Sequence, residues 1–221
     1  MHSVFRDPVS GLTHLGGALF SIAALCILVV QAALHGGVWH MVSFSIFGVT
    51  LLLMFSSSAL YHLLHAPEHV ILWLKRIDHI AIFLLIAGTY TPFCLLPLHG
   101  TLGWTLFAAV WGLAGAGIFL KIFWISAPRW LSTLIFLGMG WLIVLAAGPA
   151  QELVPEGALL WVFYGGLAYS AGAVIYALKW PDPWPKWFGF HEIWHLFVMA
   201  GAFCHFYAIA MFLPQVVVPA S

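Results

Sequence analysis

The chain has 221 residues, of which 63% are hydrophobic and only 6% charged, against roughly a quarter charged in ordinary soluble domains. Seven Lys and Arg balance seven Asp and Glu, so the formal net charge is zero, and no basic run marks a nucleic-acid partner. A soluble domain of this size cannot hide so much apolar surface, so the composition indicates an integral membrane protein.

Apolar stretches near the ~20 residues needed to cross a bilayer fall at about 12–34, 42–64, 79–98, 102–120, 130–148, 158–178 and 194–213. The first has Arg6 ahead of it and Gln31-Ala32-Ala33 after it, in the manner of a signal peptide. It is long for a signal h-region, lacks a small-x-small exit and is followed by six more spans, so it is expected to be retained. Turn chemistry separates the spans: His35-Gly36-Gly37, Ala66-Pro67, His99-Gly100, Ala127-Pro128, Gly148-Pro149 and Pro181-Asp182-Pro183. With no internal repeat and no long linker, residues 1–221 read as one all-α domain, a bundle of seven transmembrane helices.

The cations predict its orientation. Arg6 precedes span 1, Lys75 and Arg76 lie between spans 2 and 3, Lys121 and Arg129 between 4 and 5, and Lys179 and Lys186 between 6 and 7. All lie on one side, whereas Glu152 and Glu156 lie on the other, so the positive-inside rule puts the N-terminus in the cytoplasm and the C-terminus outside. That is opposite to the G-protein-coupled receptors, and span 7 has no lysine for a retinal Schiff base. Cys26, Cys94 and Cys204 form no C-x-x-C pair and read as small core residues.

Orientation sets the depth of the polar residues. Span 2 ends inward with Ser58-Ala59-Leu60-Tyr61-His62, span 3 starts with Arg76-Ile77-Asp78-His79, and span 7 starts with His191-Glu192-Ile193-Trp194-His195. On a helix, His191 and His195 are about 40° apart in azimuth and roughly 6 Å apart along the axis, so both can face one ion. The segment fits H-E-x-x-H, in which the glutamate can act as general base. Three histidines (His62, His191, His195) and two acids (Asp78, Glu192) thus meet at one membrane face, a ligand set of zinc type. Ser58, one turn from His62, is placed to hold a ligand or a bound water. His14 at the start of span 1 reads as a residue behind the ligands. His205, about four turns deeper than His191, reads as a buried polar contact or a cavity wall. His2, His35, His40, His65, His69, His79 and His99 read as headgroup contacts, and the aromatic stretch from Trp180 to Phe190 as an interfacial belt.

At these residues the chain resembles the hemolysin III group, within the superfamily of progestin and adiponectin receptors (PAQR). The matching features are Thr13-His14-x-Gly16, Ser58-x-x-x-His62, Asp78 with the apolar run to Thr91-Pro92, Phe190-His191-Glu192-Ile193-Trp194-His195 and His205-Phe206-Tyr207. They extend over nearly the whole chain. The resemblance implies seven helices, a cytoplasmic N-terminus and a zinc ion near the inner leaflet held by His62, His191 and His195. Asp78 and Ser58 would position the zinc-bound water. The eukaryotic receptors and the related alkaline ceramidases are linked to hydrolysis of lipid amides such as ceramide. The long N-terminal cytoplasmic domain of the receptors is not expected here. Many relatives carry an acid just before span 1, where the nearest acid here is Asp7, followed by Pro8. Both departures suit the short bacterial type, expected in the inner (cell) membrane.

The first functional reading is therefore a zinc-dependent intramembrane hydrolase of a lipid amide or ester, its acyl chain entering laterally. Asp78 is the preferred base because it faces the site from another helix, whereas Glu192 points about 100° from His191. A second reading is a sensor or receptor whose structural zinc ties spans 2, 3 and 7 together. A third, a pore-forming cytolysin, meets seven uniformly apolar spans and no amphipathic toxin segment. A fourth, a metalloprotease, would want an acidic third ligand where His62 stands.

Overall fold

Proline and glycine set the helix boundaries. A computed structural model describes residues 5–185 and 187–218, and His2 and Lys186 lie outside them. Helix α1 (Pro8–His35) carries proline at its first position, where a missing N–H is harmless. Helices α3 (Glu68–Leu95), α5 (Arg129–Gly140) and α7 (Glu156–Leu178) each follow a proline, at Pro67, Pro128 and Pro155. Helices α2 (Val38–Leu63) and α8 (Phe190–Phe212) follow Gly37 and Gly189. Helix α4 (Thr101–Phe123) follows Gly100, whose φ of 116° is open to glycine and strained for other residues.

No strand forms among the described residues. Six helical segments are long and apolar enough to cross a membrane: Pro8–His35, Val38–Leu63, Thr101–Phe123, Arg129–Leu153, Glu156–Leu178 and Phe190–Phe212. The protein is thus a helical, multi-pass membrane protein. Helix α3 is not among the six. It begins eleven residues before the expected start of its apolar run, so Glu68, Lys75, Arg76 and Asp78 lie on the helix rather than in a loop.

The fifth segment departs from expectation in a second way. Gly148-Pro149, read as a break, lies inside the helical run, because Pro149 falls in the first turn of the short α6 (Ala147–Leu153), where proline is tolerated. The interruption is upstream, a 3₁₀ stretch at Trp141–Ala146. There the Tyr90 hydroxyl lies 3.0 Å from the Met139 carbonyl oxygen and 2.7 Å from that of Gly140, and accepts the Ile143 N–H at 3.0 Å. Backbone groups released from the α pattern thereby gain a partner from α3, as an apolar surround requires.

Helix α1 packs on α2 and α8, α2 on α3, α3 on α4 and α5, and α5 on α7, which returns to α8. The result is a ring with α4 against α3. Large apolar side chains such as Leu19, Phe119 and Leu145 point outward, as a lipid-facing surface allows. Cys94 is buried in the core, but Cys26 lies on this outer surface, which corrects its assignment to the core.

Small residues let the helices approach. A Cβ on Gly17 would meet the Phe55 ring and one on Gly117 the Phe83 ring, whereas one on Gly103 would strike the backbone carbonyl oxygens of Cys94 and Leu98. Backbone cannot rotate away as a ring can. Gly103→Ala is therefore expected to destabilise the protein by about 2 kcal/mol, the usual scale of overpacking. Gly115→Ala on the same helix, with open space around its Cβ, should be neutral when both are compared by thermal unfolding in detergent.

Candidate metal centre

His62 lies in the last turn of α2, and His191 and His195 in the first turns of α8. Each offers a ring nitrogen, and the three nitrogens lie within 4.8 Å of one another. His62 and His195 are buried and His191 partly so. The Nε2 atoms of His62 and His191 face each other at 3.4 Å. Two imidazoles sharing a tetrahedral ion with 2.0–2.1 Å bonds would stand about 3.3 Å apart at nitrogen. The donor set and its spacing therefore fit a metal ion.

The outer ring nitrogens are held from α1. His62 Nδ1 lies 3.2 Å from the Asp7 carboxylate, and the Asp7 N–H donates to the His62 carbonyl oxygen at 2.9 Å. Arg6 completes this corner, with Nε 3.2 Å from the same carboxylate and its guanidinium over the Tyr61 ring. The His62 hydrogen bond holds the Asp7 carboxyl below the ordinary carboxylate range, against the opposing effect of partial burial. His195 Nδ1 donates to the Ser10 carbonyl oxygen at 3.3 Å. With Nδ1 turned outward, each imidazole keeps Nε2 for the site, the arrangement that raises ligand basicity and fixes the ring.

Asp7 and Ser10 were not among the expected site residues. Their signal in the chain is slight, an acid before Pro8 and a serine three residues later. Their role arises only when the first turn of α1 lies across the ends of α2 and α8.

Glu192 takes a different place from the one its motif suggests. One carboxylate oxygen accepts the Gly189 N–H at 2.8 Å and the other the Ser10 hydroxyl at 2.7 Å. It caps α8 and ties it to α1, so both oxygens are engaged away from the triad. His14 stacks on His195 with ring centroids 3.8 Å apart and sets its edge against Phe55. Neither of its ring nitrogens has a hydrogen-bond partner among the described residues. His205 returns its Nδ1 to the Gly201 carbonyl oxygen at 2.8 Å.

A cavity of about 760 Å³ runs from the triad into the bundle, a volume typical of small-molecule sites. Asp78, on α3, lines it and is buried. The Ser58 hydroxyl lies within hydrogen-bonding reach of Asp78, and His62 and Lys75 are its electrostatic neighbours. His205 and His79 also line the cavity. His40, read as a headgroup contact, is instead buried and lies 3.2 Å from the Leu213 carbonyl oxygen.

Residues 2–206 match the family model described as Haemolysin-III related. The chain is 42% identical over 217 residues to the Hemolysin-3 homolog of Bacillus subtilis (strain 168), covering 98% of each protein. It is 41% identical over 210 residues to Hemolysin-3 of Bacillus cereus, covering 95% of this chain and 93% of the other. A more distant likeness, 26% over 185 residues, joins it to the Homo sapiens Monocyte to macrophage differentiation factor, covering 79% and 72%, a protein of the PAQR family. With the histidines of α2 and α8 converging as the sequence pattern requires, the chain belongs to the hemolysin III family.

Proposed function

We propose that this protein is a zinc-dependent hydrolase of a lipid amide or ester, working inside the membrane. The observation that carries this reading is the convergence of three imidazoles at one end of a cavity that Asp78 also lines. Three neutral nitrogen donors suit zinc, and three protein ligands leave a further position for a small molecule, the catalytic pattern. A zinc ion there would supply a Lewis acid that polarises a carbonyl and acidifies water.

The protein's own groups supply the remainder. Asp78 accepts the proton of the attacking water and returns it to the leaving amine or alcohol. Ser58, one helical turn from His62, orients that carboxylate. Glu192 is set aside because both its oxygens serve the α1–α8 junction. Ile82, Ile86 and Val198 give part of the cavity an apolar wall along which an acyl chain can lie.

In the membrane, α3 serves as the seventh span. The described cations Arg6, Lys75, Arg76, Lys121, Arg129 and Lys179 lie near the ends of helices on the triad's side, and the positive-inside rule turns that side to the cytoplasm. The chain is read as a single domain in the bacterial inner membrane. A reporter that folds only outside the cytoplasm should be active when fused to the C-terminus and silent when fused to the N-terminus.

Two substitutions separate holding the ion from using it. Asp7→Ala should weaken metal affinity by about 10–100-fold, the usual cost of losing a carboxylate behind a ligating histidine, measured by competition with a chelating dye. Asp78→Asn should leave bound zinc at the wild-type ratio while lipid amide or ester turnover falls by about 10²–10⁴-fold. Unchanged turnover in Asp78→Asn, with zinc retained, would remove Asp78 as the base and favour a structural ion.

A further inference from the structure

The cavity has a cationic wall that hydrolysis at the triad does not use. Lys121, in the last turn of α4, is 2% exposed and lines the cavity. Among the described residues its ammonium has one hydrogen bond, donated to the Ser132 hydroxyl at 2.6 Å. The ion pairs among the described residues both involve Asp7, and neither includes Lys121. An ammonium has three donors, and a buried one facing only a neutral hydroxyl carries a desolvation cost that nothing of opposite charge offsets.

A second lysine adds to the charge. Lys75, also on the cavity wall, interacts electrostatically with Lys121. His79 interacts with both lysines, and its buried Nδ1 has no partner among the described residues. The buried acid of the cavity, Asp78, interacts with Lys75 and His62. Arg129 lies over the Tyr176 ring. Two ammonium groups and a hydroxyl therefore line space inside the protein that an anion would fill. A phosphate monoester carries nearly two charges and three acceptor oxygens, which matches two lysines and a serine better than a single carboxylate does.

We propose that Lys121, Ser132 and Lys75 form a phosphate subsite, which receives the head of a phosphorylated lipid while its acyl chain lies along Ile82, Ile86 and Val198. The inference rests on the reading of this cavity as a lipid site and narrows it to a phosphate-bearing class. Lys121 and Lys75 give charge, and Ser132, already accepting from Lys121, retains its own hydroxyl hydrogen for a phosphate oxygen.

The test uses the full-length zinc-loaded protein in phosphatidylcholine nanodiscs, with binding followed by native mass spectrometry and thermal stabilisation. The probes are lysophosphatidic acid, the monoacylglycerol of the same acyl chain, and inorganic phosphate. Lysophosphatidic acid is expected to bind about tenfold or more tighter than the monoacylglycerol, the scale of one charge-assisted hydrogen bond. Lys121→Met should remove that preference and Lys121→Arg should keep most of it, with zinc content unchanged in both.

Equal affinity for the two lipids, or a preference that survives Lys121→Met, overturns the phosphate subsite while leaving a lipid cavity in place. Binding of neither lipid overturns the lipid reading itself. Inorganic phosphate binding as tightly as lysophosphatidic acid would leave an anion site but overturn a lipid as its source. Should Lys121→Met lose its zinc and fold, Ser132→Ala and Lys75→Gln locate the subsite instead, and the wild-type selectivity decides its existence.

Discussion

The candidate metal centre depends on two imidazole nitrogens that point away from it. His62 and His195 present Nε2 to a common point only because their Nδ1 atoms are held, one by the Asp7 carboxylate and the other by the Ser10 carbonyl. A neutral imidazole has one donor and one acceptor nitrogen, so fixing the donor outward fixes the acceptor inward. The anchors come from the N-cap and the first turn of α1, whose own placement rests on the Asp7 N–H bond to the His62 carbonyl. A residue at Gly11 larger than glycine would meet Leu63, so the close approach of α1 to the end of α2 is part of the same device. The three histidines belong to α2 and α8, yet their geometry is set from a helix that supplies none of them.

The bundle around this corner meets the constraint of an apolar surround, where each backbone donor and acceptor needs an internal partner. Most of the chain satisfies it with uninterrupted helix. The fifth segment does not, and Tyr90 from α3 serves the groups released at Met139, Gly140 and Ile143. Trp141, at the same break, donates to the Ser170 hydroxyl on α7 at 3.0 Å. Both residues line the cavity. The irregular backbone thus lies where protein and cavity surround it, and three helices are tied together at that depth.

The sequence makes the converging histidines legible and leaves their supports hidden, for a physical reason. His191 and His195 announce themselves by local helical spacing, and His62 by depth once orientation is known. Asp7 and Ser10 act through contacts with residues 55 and more than 180 positions away, and no periodicity encodes such pairing. Lys121 was legible only as a basic residue near a helix end. Its 2% exposure depends on how α4 meets α5, which composition does not reveal. The helix boundaries show the same division. Proline and glycine marked most of them, but Gly148-Pro149 misled because proline in a first turn and proline at a break look alike in one dimension.

Glu192 shows how position on a helix decides what a motif means. Within H-E-x-x-H the acid suggests a base for a bound water. Yet His191 is only the second residue of α8, which puts Glu192 third, where a carboxylate can reach back to the free N–H groups of the helix start. It does so at Gly189, and its other oxygen takes the Ser10 hydroxyl. The same five residues begun a turn later in a helix would have no free N–H to cap, and the acid would be available for chemistry. Here the glutamate orients the helix that carries two of the three histidines, and the acid facing the cavity is Asp78 from α3. The division of labour follows from where α8 begins, one residue before its first histidine.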